Sequence, residues 1–369
     1  MERRLAHVSL VLAAALWVCG CPEDNVEPIR DAGTTAADAG GDCPTPPVYT
    51  EDLAGCAPLA TDYQPRVNGS ADDAWPACIS DDNAYHKVDP SISTIARIEA
   101  FDQIADKLWR NGRSPTAQDF IDARVLYVLD QGLDSRVQRR EDIHYPAGAA
   151  ACTDPAVADA NPDRCAGPER LLPILNDSFA RGAQGEAGKV HAARIEAALL
   201  WFLYLSSLSE AESCAKKAQD CDSCWAYYTG GTPRETPAGL ARYVKALGPQ
   251  THERAYDGTL AVRCWRDLDS ATPATDAERR TLARNQLDKA LLRGMALVVR
   301  QRFTELACSD AEGKQARLAF LRALVPLLDR EARVRNLTLA AALQAQVAEG
   351  VEPDLAEALG SLDGLFSCP

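Results

Sequence analysis

Apolar residues recur along this chain at intervals of three and four, the spacing that gathers side chains on one face of an α-helix. Residues 92–110 place Ile95, Ile98, Phe101, Ile104, Ala105 and Leu108 on such a face. Ser114-Pro115 reads as a helix start, a capping hydroxyl followed by a residue with no N–H to lose. Behind it come Phe120, Ile121, Val125, Tyr127, Val128 and Leu129, with Gly132 as the stop. Residues 168–182 repeat the form with Leu171, Leu172, Leu175 and Phe179. Residues 186–217 are apolar on nearly every side through their middle, which predicts a central, fully surrounded helix rather than a surface one. Residues 281–308 carry Leu282, Leu287, Leu291, Met295, Val298, Val299, Phe303 and Leu306. Residues 317–349 carry Leu318, Leu321, Leu324, Val325 and Leu328, and Pro326 should kink or divide that helix. Alternating runs flanked by turn pairs are missing; Asn68-Gly69 and Gly230-Gly231 fall in loops. The pattern predicts an all-α bundle of about eight to ten helices.

The first residues carry a different pattern. Arg3 and Arg4 precede an apolar stretch over residues 5–18, about 14 residues, too short to span a bilayer. It ends in Val18-Cys19-Gly20-Cys21, which resembles a bacterial lipobox. The resemblance implies a signal peptide over 1–20, cleaved after Gly20, and a lipid on the Cys21 sulfur. Residues 21–42 are small, acidic and without an aromatic, the composition of a disordered tether. Pro22 follows the lipidated cysteine where an aspartate would resemble an inner-membrane retention signal. The expected address is therefore the bacterial outer membrane, on its periplasmic or cell-surface face, with the lipid as the membrane contact. The most apolar later run, residues 197–205, has about half the length of a span. Beyond the tether the expected divisions are a Pro-rich, disulfide-linked lead-in (43–79), a helical subdomain (80–150), a disulfide loop (151–167) and a second helical subdomain (168–369) sharing the core.

Composition narrows the partners. Lysine and arginine number 39 against 53 acids, a net charge of −14. Such a chain repels phosphate backbones, so nucleic acid is excluded as a partner. The 13 cysteines indicate an oxidising compartment. Setting aside Cys19 and Cys21 leaves an odd number, so at least one is unpaired or intermolecular. Position in the chain suggests Cys152 with Cys165 across a Pro/Asp loop, Cys56 with Cys78, Cys308 with Cys368, and Cys214 with Cys221 or Cys224. The Cys221-Asp222-Ser223-Cys224 spacing lacks the βαβ setting of a redox pair and the second ligand pair of a zinc site, so it is read as disulfide framework.

Catalytic motifs are absent: there is no G-x-S-x-G, H-E-x-x-H, Walker loop or G-x-G-x-x-G. The densest polar cluster runs from Arg139 and Arg140 through Glu141, Asp142, His144 and Tyr145 to Pro146. Carboxylate, imidazole and phenolate suit ferric iron, and the paired arginines suit an accompanying anion. His191 lies on the apolar face of the long helix, and Trp225, Tyr227 and Tyr228 crowd a helix end at Gly230-Gly231. A metal site, if these residues form one, would lie where the 141–145 segment meets His191 and Tyr227 or Tyr228.

Two resemblances bear on that site. Imelysin-like iron-regulated proteins are all-helical and carry G-x-H-x-x-E; here Gly188-Lys189-Val190-His191 with Arg194 misses both the glycine and the glutamate. Residues 225–230 (Trp-Ala-Tyr-Tyr-Thr-Gly), with the helices expected over 255–265 and 285–292, resemble loosely the algal iron-assimilation proteins related to phytotransferrins. That resemblance implies surface iron binding without catalysis. The expected function is thus a cell-surface, lipid-anchored, non-catalytic binding protein with iron as candidate cargo; the alternative is a structural or interaction lipoprotein with no small ligand. Cys21→Ser should abolish lipid attachment, read as loss of labelled palmitate from the immunoprecipitated chain; label retained in the variant would refute the lipobox assignment.

Overall fold

The computed structural model describes residues 55–66, 73–130 and 132–369. Cys21, the leader, the tether and Cys43 lie outside the described residues. Those described fall in one compact unit. They form fourteen α-helices and no strand, which establishes the all-α class.

The long helix predicted at the centre is α6 (Gly188–Ser213), buried almost continuously from His191 to Ala211. Its apolar residues point in every direction, so neighbours must cover every side. Before it come α1 (Thr94–Leu108), α2 (Ala117–Val125), the short α3 (Leu133–Val137) and α4 (Pro155–Ala160), and α5 (Leu172–Ala183). After it come α7 (Asp220–Thr229), α8 (Gly239–Leu247), α9 (Pro249–Leu268), α10 (Ala277–Leu306) and α11 (Ala311–Leu324). Helices α5, α7, α10 and α11 pack directly on α6. The α9–α10 hairpin is the closest pair: a Cβ on Gly258 would sit 2.6 Å from the Leu287 Cα, so only glycine lets the backbones meet there. One hydrophobic core extends from Tyr63 to Phe366, drawing on residues of both expected subdomains; Cys152, Ala158 and Cys165 form a small satellite.

More helices form than the periodicity suggested because polar caps cut the long runs. The stretch 317–349 is divided among α11, α12 (Pro326–Arg335) and α13 (Leu337–Ala345). Pro326 begins α12, and the Asn336 side chain accepts from the Thr338 and Leu339 N–H groups to start α13. Helix α2 starts two residues later than Ser114-Pro115 implied. Thr116 caps it, exchanging hydrogen bonds with Asp119 in a capping box. The final helix, α14 (Leu355–Leu365), docks on α13 and α10. The buried Arg293 guanidinium donates to the Phe366 carbonyl, and Arg335 donates to the Leu365 carbonyl at 2.9 Å.

Four disulfides join described cysteines. Cys152–Cys165 pairs as its loop suggested, and of the two partners open to Cys214 it is Cys221 that bonds it. The other two correct the sequence reading. Cys56 bonds Cys368 rather than Cys78, and Cys78 bonds Cys264 on α9. Cys308 is disulfide-bonded but not to Cys368. These long-range bridges close loops of 312 and 186 residues, each worth up to about 5 kcal/mol by loop entropy. Cys224 is no disulfide cysteine: it is a free, buried thiol. It sits one turn beyond Cys221, where the helix turns it into the core while Cys221 meets Cys214.

Candidate functional site

The residues that looked like chemistry do not gather at one place. His144 bonds the Asp142 carboxylate through Nδ1 at 2.6 Å and the Asp288 carboxylate through Nε2 at 2.7 Å. Carboxylates only accept, so both ring nitrogens carry hydrogen and the ring is an imidazolium. Burial alone would lower its pKa; hydrogen bonds and charge from the two aspartates outweigh that and raise it to about 9. Tyr204 on α6 completes the group, donating to Asp288 at 2.7 Å. The cluster fastens the 141–146 segment to α6 and α10.

Its sequence neighbours face elsewhere. Glu141 pairs with Arg164 at 2.8 Å. Arg139 donates to the Ser135 carbonyl, whereas the buried Arg140 lies 5.7 Å from both the Phe202 and Tyr227 rings and bonds Glu210 at 3.3 Å. The two arginines therefore form no anion clamp. Tyr145 is half-buried, its pKa raised by burial and then by Asp163 and Asp142. His191 is buried, and burial followed by Arg194 and Arg181 lowers its pKa.

The three segments do not converge. His144 stacks beside Tyr204, ring centroids 6.3 Å apart. His191 is thirteen residues earlier on the same helix, roughly 20 Å along its axis. Tyr227 meets Phe202 edge-on at 5.7 Å, and residues two apart on a helix face nearly opposite ways. Tyr228 turns to α9, where its hydroxyl meets His252 Nδ1 at 2.9 Å. His252 Nε2 donates to the Arg234 carbonyl, so Nδ1 accepts from Tyr228. Burial lowers the His252 pKa to about 4, keeping the ring neutral. Among the described residues no group of three or more His, Cys, Asp or Glu is placed to hold a metal ion. The expected metal site over Glu141, Asp142, His144, Tyr145, His191, Tyr227 and Tyr228 is corrected accordingly.

The Cys221–Cys224 stretch proves to be scaffold of a specific kind. Asp222, fully buried on α7, accepts from the Tyr85 hydroxyl at 3.0 Å and from the Val88 and Asp89 N–H groups at 2.9 and 2.7 Å. Three donors stabilise its charge without a cation. They pin the segment ahead of α1 across the face of α7. Burial pushes the Cys224 thiol well up, which leaves it unreactive.

That pinned segment forms one wall of a cavity of about 360 Å³, lined by Asn83, Ala84, Tyr85, Trp225, Gly231, Pro233, Arg234, Glu235 and Tyr256. Tyr85 stacks on Trp225 with centroids 4.4 Å apart and planes 1° from parallel. Arg234 lies 4.3 Å over the Tyr256 ring. Its terminal nitrogens bond Glu253 at 2.6 Å, Asn83 at 2.6 Å and Asp257 at 2.7 Å. Burial raises the Asp257 pKa to about 6 against the pull of Arg234. Gly231 (φ 78°) makes the turn: a Cβ there would meet Ile95 at 2.4 Å. Cys78–Cys264 joins the lead-in to α9, and Cys214–Cys221 joins the end of α6 to α7.

Of this lining, sequence reasoning singled out Trp225 and the Gly230-Gly231 stop and missed the rest. Asn83, Ala84 and Tyr85 lie more than a hundred positions from Pro233, Arg234, Glu235 and Tyr256, and no spacing rule joins them. A second opening, about 60 Å³, reaches Trp109, Arg113, Lys189, Glu196, Arg302 and Arg317. Its charges are paired: Arg302 with Glu196 and Glu305, Arg317 with Glu305, Lys189 with Glu312 and Arg113 with Asp119.

The fold and cavity define a disulfide-braced, all-α protein. Comparison with known proteins finds no matching family model, curated protein or solved structure.

The His144 clamp makes stability pH-dependent. Its pKa is raised on folding, so its contribution is complete below about 6.5 and is lost as pH rises through about 9. Measured by urea unfolding, the stability gap between wild type and His144→Gln should shrink by roughly 2–3 kcal/mol between pH 6 and pH 10. A constant gap would contradict the imidazolium assignment.

Proposed function

We propose that this chain is a lipid-anchored, extracytoplasmic binding protein that captures a small polar molecule in the Tyr85–Trp225–Tyr256 cavity and performs no chemistry on it. The observation that carries the reading is the cavity itself: a concave space with aromatic residues and a few polar groups in its lining, one side of it formed by the segment that Asp222 pins. Ligand sites have this composition, and a wall ordered before binding lowers the entropy cost of capture. The lipobox supplies the anchor in this reading, and the disulfides suit an oxidising compartment. No helix among the described residues is long and apolar enough to cross a membrane. Iron is not proposed as cargo, because the residues that suggested it lie at separate places and no group of three or more His, Cys, Asp or Glu among the described residues is placed to hold a metal ion.

Ala84 lines the cavity with an exposed side chain, so Ala84→Trp should fill the space without disturbing the core. The full lipidated chain in detergent can be screened by thermal unfolding against neutral sugars, aromatic acids, quaternary ammonium compounds and ferric carbonate. One organic class should raise the midpoint, by about 2.7 kcal/mol of stability at a hundred times its Kd, and Ala84→Trp should remove the effect. No stabilisation by any organic class, or stabilisation that survives Ala84→Trp, would overturn the reading.

A further inference from the structure

We propose that Arg97, Arg136 and Arg140 form a second binding site, one that takes a phosphate group, free or carried as a monoester. The proposal stands apart from the cavity, which none of these residues lines.

The three arginines come from α1, from α3 and from the loop after α3. They meet near Tyr227 of α7 and Glu210 of α6. Arg140 is buried, its guanidinium carbon 5.7 Å from the Phe202 and Tyr227 rings and one terminal nitrogen 3.3 Å from Glu210. Its Nε–H has no hydrogen-bond partner among the described residues. Arg97 is buried as well; it donates to the Thr94 hydroxyl at 3.0 Å and reaches the Tyr227 hydroxyl. Arg136 is half-buried, and among the described residues no carboxylate pairs with it. Burial lowers the Arg97 pKa; Tyr227 and Glu210 oppose that, and the nearby Arg136 charge adds to it.

Buried arginines elsewhere in this fold are matched by acids: Arg302 by Glu196 and Glu305, Arg234 by Glu253 and Asp257. In this cluster the ion pair among the described residues is Arg140 with Glu210, at the long distance of 3.3 Å. Like charges gathered out of bulk water repel, and an anion between them removes the cost. Two features select phosphate. Guanidinium N–H groups form planar forks that match pairs of phosphate oxygens. A carboxylate has two oxygens, enough for one fork, whereas a phosphate has enough for arginines arriving from separate elements. A phosphomonoester also carries about −1.5 to −2 at pH 7, against −1 for a carboxylate. Arg136 and Glu210 are both half-buried, so solvent reaches the cluster. Glu210 is then a competitor, because it and the phosphate share Arg140.

The test titrates the full lipidated chain in detergent, at constant ionic strength, with inorganic phosphate, glycerol 3-phosphate and acetate, read by calorimetry. Inorganic phosphate, glycerol 3-phosphate or both should bind once per chain, and acetate about tenfold more weakly or less. Binding of the monoester alone supports the proposal and assigns the phosphate to an ester. Arg136→Gln, at a half-buried position away from the core, should weaken binding by about tenfold or more, the effect of losing one charged hydrogen bond. Glu210→Gln removes the competing carboxylate and should tighten binding, a change opposite in sign to damage to the fold. No binding of either phosphate, acetate binding as tightly as phosphate, or affinity unmoved by Arg136→Gln would overturn the proposal. So would weaker binding in a folded Glu210→Gln protein. The titration does not touch the cavity, so its failure leaves the reading of the cavity standing.

Discussion

A helix that is apolar on every side has one stable environment, the middle of a bundle, and α6 imposes that requirement on this fold. The helices around it are placed by the need to cover it: α5 and α11, α7 and α10 each bury a face against it. The same burial makes any charge on α6 expensive unless a partner reaches it. Glu196, inside the apolar length, is met by Arg302 at 2.8 Å and by the Tyr243 hydroxyl at 3.0 Å. Arg302 in turn holds Glu305 at 2.9 Å. The result is a chain of charges that registers α6, α8, α10 and α11 against one another.

In the polar cluster over residues 139–145, neighbouring side chains fasten different elements. His144 ties its loop to α10 through Asp288, Glu141 ties it to Arg164, and Arg140 reaches α6 between two rings. Asp222 is the clearest case, because one carboxylate fixes three donors of a segment that has little regular structure of its own. By holding Tyr85 flat on Trp225, it converts a surface crossing into the wall of a cavity. The Cys78–Cys264 disulfide ties the start of that segment to α9.

Long elements were legible in the sequence because periodicity is local. The helices α1, α5, α6 and α10 lie close to where their apolar spacing put them, and Pro326 divides the run it interrupts. The Cys152–Cys165 bridge was legible for the same reason, and the partner of Cys214 was narrowed to Cys221 or Cys224. What could not be read depends on partners distant in the chain. Asp288, 144 positions from His144, turns an apparent iron ligand into one half of an ion pair. Cys56–Cys368 and Cys78–Cys264 follow from how the ends of the chain meet, and no loop length announces them. The cavity gathers Tyr85, Trp225, Arg234 and Tyr256 from separate elements, and only its Trp225 carried a sequence signal.

The central claim is that the cavity wall is built before any ligand arrives, by a buried carboxylate. Amide hydrogen exchange at Val88 and Asp89 in the free, full-length protein tests it most directly. Val88 is 40% exposed and lies outside any helix, so without the Asp222 bonds its amide should exchange as fast as an open loop. The account predicts that both amides are protected to the level of α7 itself and lose that protection in Asp222→Asn while the α7 amides keep theirs. Exchange at the open-loop rate in the wild-type protein would contradict it.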